Sequence, residues 1–519
     1  MKDEALAQEN QTEVYAIQGA EPEVLAYAMA KYSRSALTMR ESLAEISSQR
    51  AEQFLNTFYF QYGHRSIADL AHIPMAIERL SLLAAIALVD EQRWDGQERS
   101  TRYQDFRRSG WFTPALGSAT PSYTQAIEAL FAAYNSVGQG MQTALKSMLP
   151  RPDDMKADAY ERTLKARAFD VARYLLPLAT NTSLGQIVNA RTLETQVSRL
   201  LTSEFIEIRA LGERLRAAAT EPAWNVNQKA GQALMEELEA ATGTRDARVE
   251  QMLLKPVKAA PTLMKYAVAN DYQRQTRREL TQAAAEWMAG AQIQPAPVVD
   301  LLDGDEPLEV ELATSLLYPH CHYSYRQLRG VVAGSSSARR AELIAVGTRH
   351  RGPHDELLRA FHAGSGLRFD ILMDIGGFRD MHRHRRCTQL LQEFTDLHGY
   401  ETPDAPGQPT LAEGGLDKIY RRAMEAAFAA YEAVRASGAS EAEQSARYCL
   451  PLGTRCRSMF KMDYAEALYI SELRSGVAGH YSYRRVAWEM YEAVRRQHPG
   501  LAGMFRIGDV REPVDLLRR

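Results

Sequence analysis

A chain of 519 residues, 45% of them apolar, is long enough for two to four domains with sizeable cores. Its 62 Lys and Arg against 65 Asp and Glu leave a net charge of −3, so no global field draws it to nucleic acid or to a membrane surface. Any anion site must therefore be a local concentration of arginine.

The polar opening Met1-Lys2-Asp3-Glu4 carries no secretory apolar core, and the longest apolar run, near Leu80–Val89, is too short to cross a bilayer. Cys321, Cys387, Cys449 and Cys456 are spaced unlike a disulfide framework or a zinc knuckle. A soluble protein of the reducing cytoplasm is expected.

In chain order, Pro22 to about Phe60 has helical spacing, broken by Gly63-His64-Arg65-Ser66. Ile67–Val89 is almost continuously apolar, as core elements covered on both sides would be. A polar stretch, Asp90–Tyr103, precedes helices predicted over 122–149 and 154–175, divided by Pro150-Arg151-Pro152. Pro177 and a Thr/Asn/Ser patch interrupt the pattern before a further helical segment, Leu193–Thr220. Residues 221–290 read as a solvated helical bridge and Gln292–Pro307 as a linker. After a helix near 337–346, an apolar strand or helix is expected from Leu367. Helical patterns run from Leu416 to about Gln497, interrupted at Pro451.

Two segments stand out chemically. Arg379-Asp380-Met381-His382-Arg383-His384-Arg385-Arg386 packs cations at the end of an apolar element, where they repel unless an anion joins them. Far upstream lies Gln97-Glu98-Arg99-Ser100-Thr101-Arg102-Tyr103. Ten of twelve histidines follow residue 319, but no carboxylate motif or Cys pair accompanies them and no metal is expected. Gly376-Gly377 alone does not make a phosphate loop.

The sequence also repeats itself. Ala172-Arg173-Tyr174-Leu175-Leu176-Pro177-Leu178-Ala179-Thr180 recurs as Ala446-Arg447-Tyr448-Cys449-Leu450-Pro451-Leu452-Gly453-Thr454, identical at seven of nine positions. Arg199 and Arg474 follow at nearly the same offset. A fused duplication is expected: a first copy over 1–220, a helical bridge and linker over 221–300, and a second copy over 301–519.

These residues resemble the flavin-dependent (alternative) thymidylate synthases. That family carries Arg-His-Arg, then a loop with Asn-Glu-x-Ser-x-Arg-Tyr. It also has an upstream Gly-His-x-Ser and a downstream Ala-Arg-x-x-Leu-Pro, Asn-Ala-Arg and Leu-Arg. The first copy matches at Gly63-His64-Arg65-Ser66, Glu98, Ser100, Arg102, Tyr103, Arg173, Asn189-Ala190-Arg191 and Arg199, but has Asp90-Glu91-Gln92 in place of Arg-His-Arg and Gln97 in place of Asn. The second copy keeps Arg379, Arg383-His384-Arg385, Arg447 and Arg474. Its loop positions hold Leu390, Leu391, Glu393 and Thr395, Asp380 stands for Gln, and Asp463 for Asn. In the family each site is shared between subunits of a homotetramer, so these complementary losses imply one complete composite site and one dead one.

The resemblance implies an α+β fold of two thymidylate-synthase-complementing-protein-like units, each a mixed or antiparallel sheet flanked by long helices. It further implies a methyltransferase that converts dUMP to dTMP with FAD, NADPH and methylenetetrahydrofolate, assembled as a homodimer. The substrate would meet Glu98, Arg99, Ser100, Thr101, Arg102, Arg173, Asp380 and Arg383, with Arg474 (or Arg199) beside the uracil as the catalytic cation. FAD would meet Arg383, His384, Arg385, Glu98, Asn189, Arg191, His64 and Ser66. Alternatives are a diverged flavoenzyme acting on another pyrimidine nucleotide and an inactive nucleotide-binding or scaffold protein.

Overall fold

In the computed structural model, the chain is described at residues 15, 17, 19–31, 38–45, 65–264, 267–302, 306–352, 355, 357–364, 366–403, 410–412, 414–503, 505–512 and 514–517. It divides into two units. The first comprises residues 1–74, 187–197 and 213–268 and the second 75–186, 198–212 and 269–519, so the units follow different lines from the sequence repeat. In the first unit the Glu23 carboxylate accepts the Thr262 and Leu263 N–H groups at 2.8 and 2.6 Å, tying the helix Pro22–Lys31 to the later segment.

Of the elements named next, three have residues in both units and the rest lie in the second, which holds the chemistry. Strand β1 (His72–Ser81) runs into helix α1 (Leu82–Leu88), where Ser81 accepts the Ala84 N–H and starts the helix. Strand β2 (Asp95–Glu98) follows, then the long helices α2 (Thr120–Met148) and α3 (Ala157–Ala172). Strand β3 (Asn181–Asn189) leads into helix α4 (Ala190–Leu201). After the edge strand β4 (Val299–Leu301), the series repeats: β5 (Leu367–Asp374), α5 (Ile375–Met381), β6 (Thr388–Leu391), α6 (Asp417–Arg435), β7 (Arg455–Met462), α7 (Tyr464–Ser475) and α8 (Tyr481–Gln497). The sheets are ordered β1-β3-β2 and β4-β5-β7-β6, the same arrangement with one strand added. The second is antiparallel, Phe369 facing Phe460 and Asp374 facing Arg455. The fold is α+β, with two related sheets and long helices.

Four elements differ from the sequence expectation. In the apolar run from Ile67, expected to be covered on both sides, β1 leaves His72, Pro74, Ala76, Glu78 and Arg79 exposed and buries mainly its other face. The Thr/Asn/Ser patch forms β3, whose burial alternates along the strand, a period of two that its polar residues conceal. The linker contains β4, paired with Phe369–Ile371. Within the helical run after Leu416 lies β7, nearly buried throughout, so it shows no alternation to read.

The repeated segments pair with each other. Pro177 faces Pro451; Leu178 N–H donates to Leu450 O at 2.8 Å and Leu452 N–H to Leu176 O at 2.9 Å. Farther out, Ala179 N–H reaches Tyr448 O at 3.1 Å and Gly453 N–H reaches Tyr174 O at 2.9 Å. Each bond maps onto its partner when the copies are exchanged, a local two-fold relation. Each segment then turns back to its own copy, with Leu83 N–H on Leu178 O and Gly376 N–H on Leu452 O. The Ala179/Gly453 mismatch has a steric cause: a Cβ on Gly453 would lie 2.9 Å from Tyr420 Oη and 3.2 Å from Tyr174 O. Gly453→Val should therefore destabilise the protein by about 1–3 kcal/mol. Ala179→Gly should cost no more than about 1 kcal/mol, both read from urea denaturation midpoints.

Candidate active site

Helix α5 determines where the cations go. Asp374 caps it, accepting Gly377 N–H at 2.7 Å, and its short course ends at Asp380 and Met381. The Arg173 guanidinium packs against Gly376 at 3.5 Å from where a Cβ would be, an ordinary contact, whereas a Cβ on Gly377 would lie 2.6 Å from Ser482 Oγ and 2.9 Å from Met373 Cε. Gly376-Gly377 thus serves close packing. Arg173, only 2% exposed, forms an ion pair with Asp380 at 3.1 Å, joining the first copy to the second. Its Nε and Nη2 are buried with no hydrogen-bond partner among the described residues.

Four arginines surround that carboxylate. Burial raises the Asp380 pKa, but Arg173, Arg102, Arg383 and Arg474 together hold it below the usual carboxylate range. Arg102 comes from the loop after β2. Its Nε binds Asp170 at 2.7 Å, Nη1 binds Tyr483 Oη at 2.8 Å and Nη2 binds Ala478 O at 3.1 Å. The Tyr483 ring is shared, with the guanidinium carbons of Arg102 and Arg474 at 5.7 and 5.4 Å from its centre. Arg474 donates Nε–H to His384 Nε2 at 2.8 Å, while His384 Nδ1 faces Glu466 at 3.7 Å. Burial lowers the His384 pKa, so the ring is neutral and accepts from Arg474. Arg383 is exposed and, among the described residues, has no hydrogen bond.

The remaining loop residues have local duties as well. Glu98 binds Arg379, a second bridge between the copies. Arg99 donates to Ser109 Oγ at 2.9 Å and to Asp105 O, and covers the Phe106 ring, so it pins its own loop. Ser100 Oγ accepts Arg102 N–H at 3.2 Å, and Thr101 is buried. A cavity of about 550 Å³ lined by Asp105, Arg107, Arg108 and Asn135 opens beside that loop.

On the other side of the basic segment, acidic residues of the first copy replace the expected cations. Asp90 pairs with Arg359 and lies 3.6 Å from His382, and Glu91 binds Arg199 at 2.8 Å. Arg199 with Glu91 is the counterpart of Arg474 with His384. Arg385 stands over the Trp94 ring at 5.2 Å, and burial pulls its pKa down to about 10 although Asp90 and Glu91 oppose the fall. His382 is buried, bonded to Gln389 at 2.6 Å, and held near 4 chiefly by that burial.

The structure thus gathers Glu98, Arg102 and Arg173 of the first copy with Arg379, Asp380, Arg383, His384 and Arg474 of the second. Asn189, which accepts Thr192 N–H at 2.8 Å, and Arg191, 3.4 Å from Asp69, belong to the other unit. So does Ser66, and His64 lies outside the described residues. Sequence reasoning missed Asp170, Tyr483 and Trp94 as partners, and gave Arg379 as a family match without naming it among the site residues. Tyr483 could have been suspected from its place just beyond Arg474, whereas nothing local marks Asp170. Among the described residues no three His, Cys, Asp or Glu side chains converge as a metal site, and no helix is long and apolar enough to cross a membrane.

Two separate segments, residues 15–222 and 358–500, match the family model described as thymidylate synthase complementing protein, one in each copy. The chain belongs to that family, as a tandem duplication. It is similar, at 26% identity, to a UPF0159 protein of Chlamydia muridarum, with 95% of this chain and 91% of that one covered. A UPF0159 protein of Thermoplasma acidophilum is 23% identical, with 93% and 94% covered. Among solved structures, thymidylate synthase X from Helicobacter pylori with FAD and dUMP matches at 17% identity and a TM-score of 0.23, over 38% of this chain and 88% of that chain.

Asp90 offers a test of the acidic side. Burial would raise its pKa, but Arg359, His382 and Arg199 bring it from 3.8 to about 2. A folded value below the unfolded one means stability present above pH 4 and lost as pH falls toward 2. Asp90→Asn should cost about 1–2 kcal/mol at pH 7, allowing for solvent screening of a half-buried pair. The gap between the two proteins in denaturation experiments should shrink between pH 4 and 2.

Proposed function

We propose that the chain is a flavin-dependent thymidylate synthase, methylating dUMP to dTMP at one composite site in the second unit. The one-carbon unit would come from methylenetetrahydrofolate and the electrons from NADPH. The observation that supports this most is the meeting of Arg102 and Arg173 from one copy with Arg383 and Arg474 from the other around Asp380.

The donor set suits a doubly phosphorylated cofactor and a nucleotide. Buried guanidinium N–H groups on Arg173, Arg379 and Arg385 that have no partner among the described residues each leave a cost of about 1–3 kcal/mol that a phosphoryl oxygen would remove. In this proposal Arg383, His384 and Arg385 hold FAD together with Glu98, all four in the second unit. Bound FAD supplies the hydride. Arg102 and Arg173 grip the 5′-phosphate of dUMP, supported by Ser100, Thr101 and Arg99 within the loop. Arg474 is fixed by His384 through its Nε, and its Nη groups carry no hydrogen bond among the described residues. Placed by the uracil, that fixed cation favours the N3-ionised ring and makes C5 more nucleophilic. Two chains would supply four family-sized copies, so a homodimer is the proposed assembly. Four buried free thiols suit a reducing cytoplasm.

One observation favours a second reading. Asp380, where the family has Gln, places an ionised carboxylate inside the cradle, which suits a diverged flavoenzyme acting on another pyrimidine nucleotide.

Purified protein should be yellow, with about one flavin per chain, and should form dTMP or rescue a thymidine auxotroph. Arg383→Ala, at an exposed position, and Arg102→Ala should each lower the rate at least about 100-fold. Changes at Thr395 or Asp90 should leave it nearly unchanged. A folded, flavin-free protein that binds no dUMP would leave only the inactive scaffold.

A further inference from the structure

The local two-fold that builds the arginine cradle also builds a second locus, and its residues have been replaced rather than removed. Gln392, Glu393 and Arg447 occupy the places of Arg99, Ser100 and Arg173. There Arg447 Nη2 binds the rim carboxylate of Glu393 at 2.6 Å and lies 3.7 Å from Glu443, while its Nε, like the other unpaired atoms of this locus, is buried without a partner among the described residues. Gln392 spends its amide N–H on Tyr323 O at 2.9 Å and its backbone N–H on Arg457 O at 3.1 Å, leaving Oε1 buried and unpaired. Arg457, 2% exposed, binds Asp370 at 2.9 Å through Nη1, and its Nε is likewise unpaired. Two imidazoles close the cluster: the His322 and His398 ring centres lie 6.5 Å apart, with His322 Nδ1 and His398 Nε2 buried and unpaired. His322 faces Glu393 and Arg447, and His398 faces Arg457 and Arg455.

Each unpaired group here costs about 1–3 kcal/mol unless something bonds to it. Two arginine N–H groups are pure donors, and each imidazole can present an N–H, so donors outnumber the single acceptor. A cation is disfavoured by Arg447, Arg455 and Arg457, and the two rings gather no carboxylate set for a metal. Glu393, Asp370 and Glu401 already balance those arginines. With the arginines balanced, the surplus is of N–H donors and not of charge, so the locus suits a singly charged group better than a doubly charged one.

We propose that this locus in the second copy binds a small carboxylate, held by the Nε–H groups of Arg447 and Arg457 and by His322 and His398. It is separate from the arginine cradle and does not depend on that site's being active. The test is thermal denaturation of the full chain titrated with acetate, or with inorganic phosphate, at an ionic strength held constant with chloride. Saturating FAD and dUMP are added in a parallel series. Acetate should raise the midpoint saturably in both series and at lower concentration than phosphate. His398→Ala, at a half-exposed position, and Arg447→Gln should each weaken the acetate response at least tenfold and leave flavin content unchanged. A response that never saturates, that persists in both variants, or that phosphate produces at lower concentration would overturn the proposal. So would no response at all, which would assign the cluster to water.

Discussion

Main-chain pairing at Pro177 and Pro451 is the constraint from which the rest of the second unit follows. Proline has no N–H, so each can lie opposite the other without leaving a donor unpaired, while the flanking residues exchange four bonds. The same segments then hold the first turns of α1 and α5, which fixes the helices relative to the seam. Arg173, next to the paired stretch, is carried into the other copy and meets Asp380 at the end of α5. Backbone geometry therefore delivers the cations, and side-chain electrostatics decides what they do there.

That electrostatics is asymmetric. At one locus four arginines share a single carboxylate and leave donors over. At the other, Asp90 and Glu91 are each committed to an arginine, so the cations there are already neutralised. Removing one member of such a half-buried pair strands the other, at a cost of about 1–2 kcal/mol once solvent screening is allowed for. The acidic pair is accordingly more than a lost cofactor site: it stabilises the neighbours of the basic segment, since His382 and Arg385 both face Asp90.

Much of this was legible in the sequence. The repeat predicted two copies, and their facing pairing follows once Pro177 and Pro451 are known to coincide. The helices over 120–148 and 157–172 agree with their apolar spacing to within three residues. The strands were harder to read, because β3 is polar on its open face and β7 is buried on both, so neither shows a clean alternation. At the site, arginines stood out because the resemblance gave them partners. Asp170 and Tyr483 did not, since a carboxylate on a helix and an aromatic after a turn look ordinary until the chain folds Arg102 onto them.

Fusion makes such asymmetry possible. In a symmetric dimer of identical chains, replacing Arg383, His384 or Arg385 would alter both loci at once, and every site would lose the same group. With the copies joined, a substitution reaches one locus only, and the second can be rebuilt while the first keeps its arginines. The replacements are not neutral gaps. Where the first copy contributes Arg102 the second has Thr395, and where it has Ser100 the second has Glu393, which now holds Arg447. Each change converts a cation cradle into a locally balanced one, and a balanced site no longer selects for phosphate.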